Sequence, residues 1–168
     1  MSPTEPRSSF EVYRAKETTP EIRLTVNLVL VARRWRALLD EKLRPIGQSS
    51  ARMEALSAII TSPEPTSQID IAKRLRIEGP TMTRMIDALA EDELVERRQA
   101  PGDRRTKHLA LTAKGEQALE QIFAIVVPLR ERLLRDLPED HIDALSEGFA
   151  GLLGKLDRGL PDTAGEAA

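Results

Sequence analysis

The sequence predicts a mainly α-helical protein with one small β wing, and three observations lead to this prediction. Apolar residues recur at steps of three and four over most of the chain, which is the helical period. Between residues 95 and 111 the pattern changes to alternation around Pro, Gly and Asp, which is typical of a hairpin. Just before that hairpin, a turn containing glycine separates two short helical patterns, as in a helix-turn-helix.

Composition limits the class of protein. The 168 residues suffice for one domain plus an oligomerisation element, and the formal charge is −2. The absence of cysteine excludes disulfides, thiolate metal sites and thiol redox switches. The longest apolar run, residues 28–32, is too short for a bilayer, and the polar N-terminus lacks a signal core, so we expect a cytoplasmic protein with no membrane partner.

The N-terminal third predicts a flexible arm followed by a long helix. Residues 1–19 show no periodicity, whereas Thr19 and Pro20 suit a helix cap and first turn. A seam of apolar residues follows at heptad-like spacing: Leu24, Leu28, Val31, Trp35 and Leu38. We expect this helix to end near Pro45, and residues 20–46 to form an N-terminal dimerisation helix.

Two further helices are predicted between the first helix and the glycine-containing turn. The first begins after the GQSS stretch and is expected to bury four apolar residues: Met53, Leu56, Ile59 and Ile60. The second begins at Ser67, which forms a capping-box pattern with Asp70.

The next helix begins at Gly79 and Pro80 and has one clear apolar face, made of Met82, Met85, Ile86 and Leu89. Thr81, Thr83 and Arg84 therefore face elsewhere. Base edges in the major groove are read by the N-terminal residues of such a helix, so Pro80, Thr81, Thr83 and Arg84 are candidate DNA contacts.

The hairpin carries an unusual cluster of positive charge. Arg97, Arg98, Arg104, Arg105 and Lys107 are opposed only by Asp103, which gives a local charge of +4. Such a cluster is either a solvated face or an anion-binding surface. On a hairpin after a helix-turn-helix, Arg104 and Arg105 would reach the minor groove, and Asp103 would hold a guanidinium in place. Residues 47–111 are thus predicted to form a winged helix-turn-helix DNA-binding lobe.

The C-terminal third is predicted to be helical, with Thr112 as a cap and Pro128 as a kink or break. The last helix has a second heptad-like seam, made of Ile142, Leu145, Phe149, Leu152 and Leu156. We therefore expect residues 112–160 to supply C-terminal dimerisation helices and residues 161–168 to be a flexible tail. An intramolecular bundle is the alternative to a homodimer.

Three motifs resemble the MarR family of bacterial transcription regulators: DRRTKHLALTAKG, IAKRLRIEGPTMTRMIDALAEDELVERR and RRWRALLDEKLRPIG, the last of which is similar to the SlyA-like branch. The resemblance implies a homodimer that binds a pseudo-palindromic double-stranded operator. It also implies that Arg105 is the wing arginine, Asp103 its pairing acid and Arg84 a base-reading residue. Regulation by a small aromatic anion is common in that family.

A ligand pocket would use Trp35 as an aromatic wall, Arg52 as the partner of a ligand carboxylate and Met53 as an apolar filler. The alternative is ordinary packing for Trp35 and Met53 and a surface position for Arg52. No catalytic constellation, metal cluster or cofactor motif is present, so we expect no enzyme and no cofactor. The other candidate function is a helical dimerisation module that binds a protein partner and retains a vestigial winged helix.

Overall fold

The computed structural model describes residues 14, 18–100 and 103–160, without the side chains of residues 100–106. In chain order the elements are α1 (Pro20–Leu43), a 3-10 turn (Arg44–Ile46), α2 (Ser50–Ile60), α3 (Gln68–Leu75), α4 (Gly79–Glu91), β1 (Val95–Ala100), β2 (Asp103–Leu111), α5 (Ala113–Leu134) and α6 (Glu139–Arg158). The predicted helical fold with one hairpin is confirmed. The chain divides into two compact units, with the boundary along the chain between Ile125 and Val126.

Side-chain caps mark the helix starts; the sequence predicts those at Thr19 and Ser67, but not the cap at Ser49. Thr19 accepts the N–H of Ile22 at 3.3 Å, and Ser49 accepts the N–H of Arg52 at 3.2 Å. At α3 the capping box is complete, because Ser67 and Asp70 each bind the backbone N–H of the other, at 3.3 and 3.0 Å. These bonds satisfy N–H groups that the helices themselves leave open.

The first unit packs α1 to α4 and the hairpin around one apolar core. Its fully buried large side chains include Leu43, Leu56, Ile71, Met82, Ile86 and Leu89. The prediction for Ile60 is wrong: its side chain is 52% exposed, whereas Ile59 is 5% exposed. Successive helical residues point about 100° apart, so Ile60, the last residue of α2, lies outside the buried strip. Met53 is half-buried.

The hairpin lies against the helix-turn-helix through hydrogen bonds on both edges of β2. On one edge β2 pairs antiparallel with β1, with Val95 opposite Leu111 and Arg98 opposite His108. On the other edge the N–H of Leu109 donates to the carbonyl of Thr66 at 2.9 Å. Leu109 and Leu111 are buried, as their alternation predicts. The hairpin is thereby anchored next to the start of α3.

The C-terminal third forms two helices, and α5 begins where the sequence predicts. The Thr112 hydroxyl caps α5 by accepting the N–H of Gly115 at 3.0 Å. Pro128 lies inside α5, which continues to Leu134, so the prediction that the helix breaks at this proline is wrong. In the second unit α6 carries Glu139 and Asp140 in its first turn, which complements the helix dipole.

Several predictions concern residues outside the described part of the chain. The predicted arm at residues 1–19 is described only at positions 14, 18 and 19, and the tail at residues 161–168 is not described. Among the described helices, none combines the length and apolar character needed to cross a membrane.

The Asp40 carboxylate supports the start of α2 and makes stability depend on pH. Its Oδ1 accepts the N–H of Ser50 at 2.7 Å. This backbone hydrogen bond, followed by one from the Ser50 hydroxyl, holds the pKa of Asp40 below its ordinary value. Asp40→Ala should lower the free energy of unfolding by about 1 kcal/mol at pH 7. The ionised carboxylate of Asp40 is the form that accepts these hydrogen bonds. The difference in free energy of unfolding between the wild type and Asp40→Ala should therefore disappear as the pH falls through the depressed pKa of Asp40.

Urea denaturation of both proteins between pH 7 and pH 2 measures this difference. The matched control is Asp143→Ala, an exposed acid on α6 whose side chain has no hydrogen bond to a described residue. A stability difference for Asp40→Ala that stayed constant down to pH 2 would contradict the prediction.

Candidate nucleic-acid interface

Helix α4 buries one face and leaves the predicted DNA-reading residues outside. Met82, Ile86 and Leu89 are fully buried, which fixes the rotation of the helix about its axis. The structure therefore places the four predicted contacts on the exposed side: Pro80, Thr81, Thr83 and Arg84. We call α4 the recognition helix.

Two of these residues differ in whether their polar groups already make hydrogen bonds to other described residues. The Thr83 hydroxyl donates to the carbonyl of Gly79 at 3.0 Å and accepts from Nε2 of Gln68 at 2.6 Å. The Arg84 guanidinium makes no hydrogen bond or ion pair to any residue that the structure describes. Arg84 is thus free to bind a base edge, whereas Thr83 presents mainly its methyl group.

The cations at the base of the hairpin are paired with acids. Nη2 of Arg97 binds Oδ1 of Asp87 on the recognition helix at 2.5 Å. Arg98 donates from Nε and Nη2 to Oε1 of Glu96, at 2.9 and 2.6 Å. The sequence did not indicate these pairs. The charge cluster is therefore partly neutralised at its base, and the Arg97 pair connects β1 to the recognition helix.

The predicted wing contacts lie at the tip of the hairpin. The strand β2 begins with Asp103, Arg104 and Arg105. The structure describes the backbone of these residues but not their side chains. Lys107, closer to the base, is exposed.

The junction between the hairpin and α5 is unusually close. Besides capping α5, the Thr112 hydroxyl donates to the carbonyl of Glu93 at 2.6 Å, and Lys114 Nζ lies 3.1 Å from Oε2 of Glu93. A Cβ atom at Gly115 would overlap the carbonyl oxygen of Leu94 and lie 2.9 Å from its carbonyl carbon. Glycine at this position is therefore required by the approach of two backbones.

The predicted ligand residues lie on the helices that precede α3. Trp35 on α1 and Met53 on α2 are half-buried. Arg52 binds Oδ2 of Asp92 at 2.5 Å through Nη2, and Oε1 of Gln48 at 3.0 Å through Nε. The guanidinium that we expected to hold a ligand carboxylate is thus occupied by a carboxylate of the chain itself.

Two surface cavities flank the α3 segment. One, of about 500 Å³, lies between α3 and the recognition helix and is lined by Gln68, Ile69, Ala72, Lys73, Arg76, Ile77, Gly79 and Thr83. The other, of about 460 Å³, lies beside the hairpin and is lined by Glu64, Pro65, Thr66, Arg98, Gln99, His108, Leu109 and Ala110. Nδ1 of His108 is buried and has no hydrogen-bond partner among the described residues. Across the described ranges, no cluster of three or more His, Asp or Glu side chains could hold a metal ion.

A recognition helix with an open arginine, followed by a hairpin carrying arginines near its tip, defines a winged helix-turn-helix protein. Residues 49–107 match the model of the MarR family. The solved structure of the transcriptional regulator PA3341 is 30% identical, with 81% of this chain and 99% of that chain covered and a TM-score of 0.73. The chain therefore belongs to the MarR family of DNA-binding transcription regulators.

Two other solved structures share the fold. A MarR variant from E. coli, complexed with operator DNA, is 27% identical over 79% of this chain and 94% of that chain, with a TM-score of 0.70. CouR from Rhodococcus jostii RHA1, bound to p-coumaroyl-CoA, is 20% identical over 81% of this chain and 95% of that chain, with a TM-score of 0.72.

Proposed function

We propose that this chain is a cytoplasmic, homodimeric repressor of the SlyA-like branch that binds a two-fold symmetric operator. Residues 47–111 contact the DNA, and the helices within residues 20–46 and 112–160 form the dimer. The observation that carries the proposal is Arg84, which is exposed and unpaired among the described residues on the outer side of the recognition helix. Arginine binds guanine at two points, so this position discriminates between bases. Occupancy of an operator is sufficient for repression.

Exposed apolar side chains on α1 and α6 support the homodimer. On α1, Leu24, Leu28 and Val31 are 38–61% exposed. On α6 the exposed set is Leu145, Phe149, Leu152 and Leu156. Apolar patches of this kind on a monomer mark an interaction surface, and heptad-like spacing suits another helix of the same type. A Cβ atom at Gly148 or Gly151 would meet no described atom within 4 Å, so the surface there is open and a partner helix could approach closely.

Ligand control would act through Arg52, Trp35 and Met53. CouR, which shares the fold, is bound to p-coumaroyl-CoA. In the present chain a small aromatic carboxylate would have to displace Asp92 from Arg52, which changes the connection between α2 and the end of the recognition helix. Such a ligand lowers DNA affinity only to the extent that it binds one conformation of the protein more tightly than the other.

Selection from a random duplex pool identifies the sequence that the protein prefers, and fluorescence anisotropy titration against that sequence then tests the proposal. The expected result is a symmetric site with half-sites about 10 bp apart and an affinity that falls steeply with salt. Sedimentation of the wild type and of Leu152→Glu tests the dimer. The glutamate places a charge in the apolar surface of α6, so this variant should be a monomer and should no longer prefer a symmetric DNA site. A dimer that enriches no sequence would favour the protein-binding module instead.

Removal of the wing arginine should change the salt dependence of DNA binding. We expect Arg105→Ala to weaken binding and to reduce the slope of log affinity against log salt by about two for the dimer, because one contact is lost in each half-site. Anisotropy titrations from low to moderate salt measure the slope, with Arg130→Ala, an exposed arginine on α5, as the control. An unchanged slope would show that Arg105 does not contact the duplex.

A further inference from the structure

Gln68, the first residue of α3, is joined to the recognition helix by a side-chain hydrogen bond. Its Nε2 donates to Oγ1 of Thr83 at 2.6 Å, and both residues line the cavity of about 500 Å³ between the two helices. The pattern of apolar residues gives no sign of this bond, because the two residues are fifteen positions apart and neither belongs to the core.

The hydrogen bonds of the pair leave a defined set of groups free. Thr83 uses its only donor on the carbonyl of Gly79, and its oxygen accepts from Gln68. These bonds fix the Thr83 rotamer and the orientation of the Gln68 amide. Gln68 keeps one N–H and its carbonyl oxygen, which have no partner within the described ranges. An amide oriented in this way can donate and accept side by side.

The surroundings of the pair suit double-stranded DNA. Lys73 and Arg76 line the same cavity, so its charge favours a polyanion. Ile69 lies next to Gln68 and is 66% exposed, so its apolar side chain is accessible to a bound molecule. Apolar side chains contact the thymine methyl group in the major groove, and glutamine pairs with adenine through its amide. One A·T base pair offers both partners.

We propose that Gln68 is a specificity-determining residue, which acts with Thr83 as one unit and selects an A·T base pair in each half-site. The amide of Gln68 binds the adenine edge, and Thr83 holds that amide in the required orientation. This inference rests on the proposed DNA-binding function and extends the reading surface from the recognition helix to the start of α3.

The test is sequence selection by the wild type, Gln68→Ala, Thr83→Val, Thr83→Ser and the Gln68→Ala/Thr83→Val double variant. Each protein is then titrated against the wild-type site and against variants with one base pair changed. Gln117→Ala on α5 is the matched control for loss of an exposed amide. Thermal unfolding midpoints and affinity for unrelated DNA show whether the variants remain folded and competent for phosphate binding.

We expect Gln68→Ala to lose about tenfold of preference at one symmetric pair of positions, with unrelated-DNA affinity and unfolding midpoint unchanged. Thr83→Val should lose the same preference, Thr83→Ser should retain it, and the double variant should lose no more than either single variant. Identical selected sequences for wild type and Gln68→Ala, or strictly additive losses, would overturn the inference while leaving the proposed function intact. A wild type that enriches no sequence would overturn both.

Discussion

Arg84→Ala should remove most of the preference of this protein for its own site over scrambled DNA. A bidentate contact between arginine and guanine provides about 1–3 kcal/mol of discrimination, so a homodimer should lose about 2–6 kcal/mol over two half-sites. Affinity for unrelated DNA should change little, since that affinity comes from phosphate contacts elsewhere. The measurement is the ratio of dissociation constants for the selected and scrambled sites at one salt concentration.

Two comparisons separate base reading from charge. Arg84→Lys retains the charge but not the planar fork of donors, so it should also lose discrimination. Arg130→Ala removes an exposed arginine from α5 and should behave as the wild type. If Arg84→Ala still distinguished the selected site from scrambled DNA, the recognition helix would not read bases through this residue.

Gly115→Ala should destabilise the first unit by at least about 2 kcal/mol, because two backbones meet at this position. The added Cβ would overlap the carbonyl oxygen of Leu94, which is itself the acceptor for the N–H of Thr112. Relief of the overlap requires α5 to move away from the end of the recognition helix. Chemical denaturation measures the loss in free energy of unfolding.

Gly79→Ala is the matched control for this prediction. Gly79 also stands in the first turn of a helix, but a Cβ there meets no atom within 4 Å. Its free energy of unfolding should therefore stay within about 1 kcal/mol of the wild type. Equal stability of Gly115→Ala and Gly79→Ala would show that the contact with Leu94 imposes no constraint.

The local features of the fold could be predicted from the sequence because short-range chemistry determines them. The cap at Thr19, the capping box at Ser67, the apolar face of the recognition helix and the alternation at Leu109 all depend on neighbours within a few residues. Each was found where the pattern indicates.

Pairs between distant residues could not be predicted in this way. The bonds from Gln68 to Thr83 and from Arg97 to Asp87 form only after helices and hairpin have packed. The exposure of Ile60 has a related origin, because periodicity identifies an apolar residue but not the edge of the buried strip. The DRRTKHLALTAKG motif ends at Gly115, although only the structure gives the physical reason for a glycine there.

The Arg97–Asp87 pair and the contacts of Glu93 and Leu94 with the start of α5 tie three segments together. The recognition helix, the hairpin and the first turn of α5 are consequently connected to one another by direct contacts. A change in the tilt of that turn is therefore expected to move the hairpin and the recognition helix together. Adaptation to an operator of different half-site separation is therefore expected to proceed through substitutions that alter the tilt of α5, with the base-reading surface left unchanged.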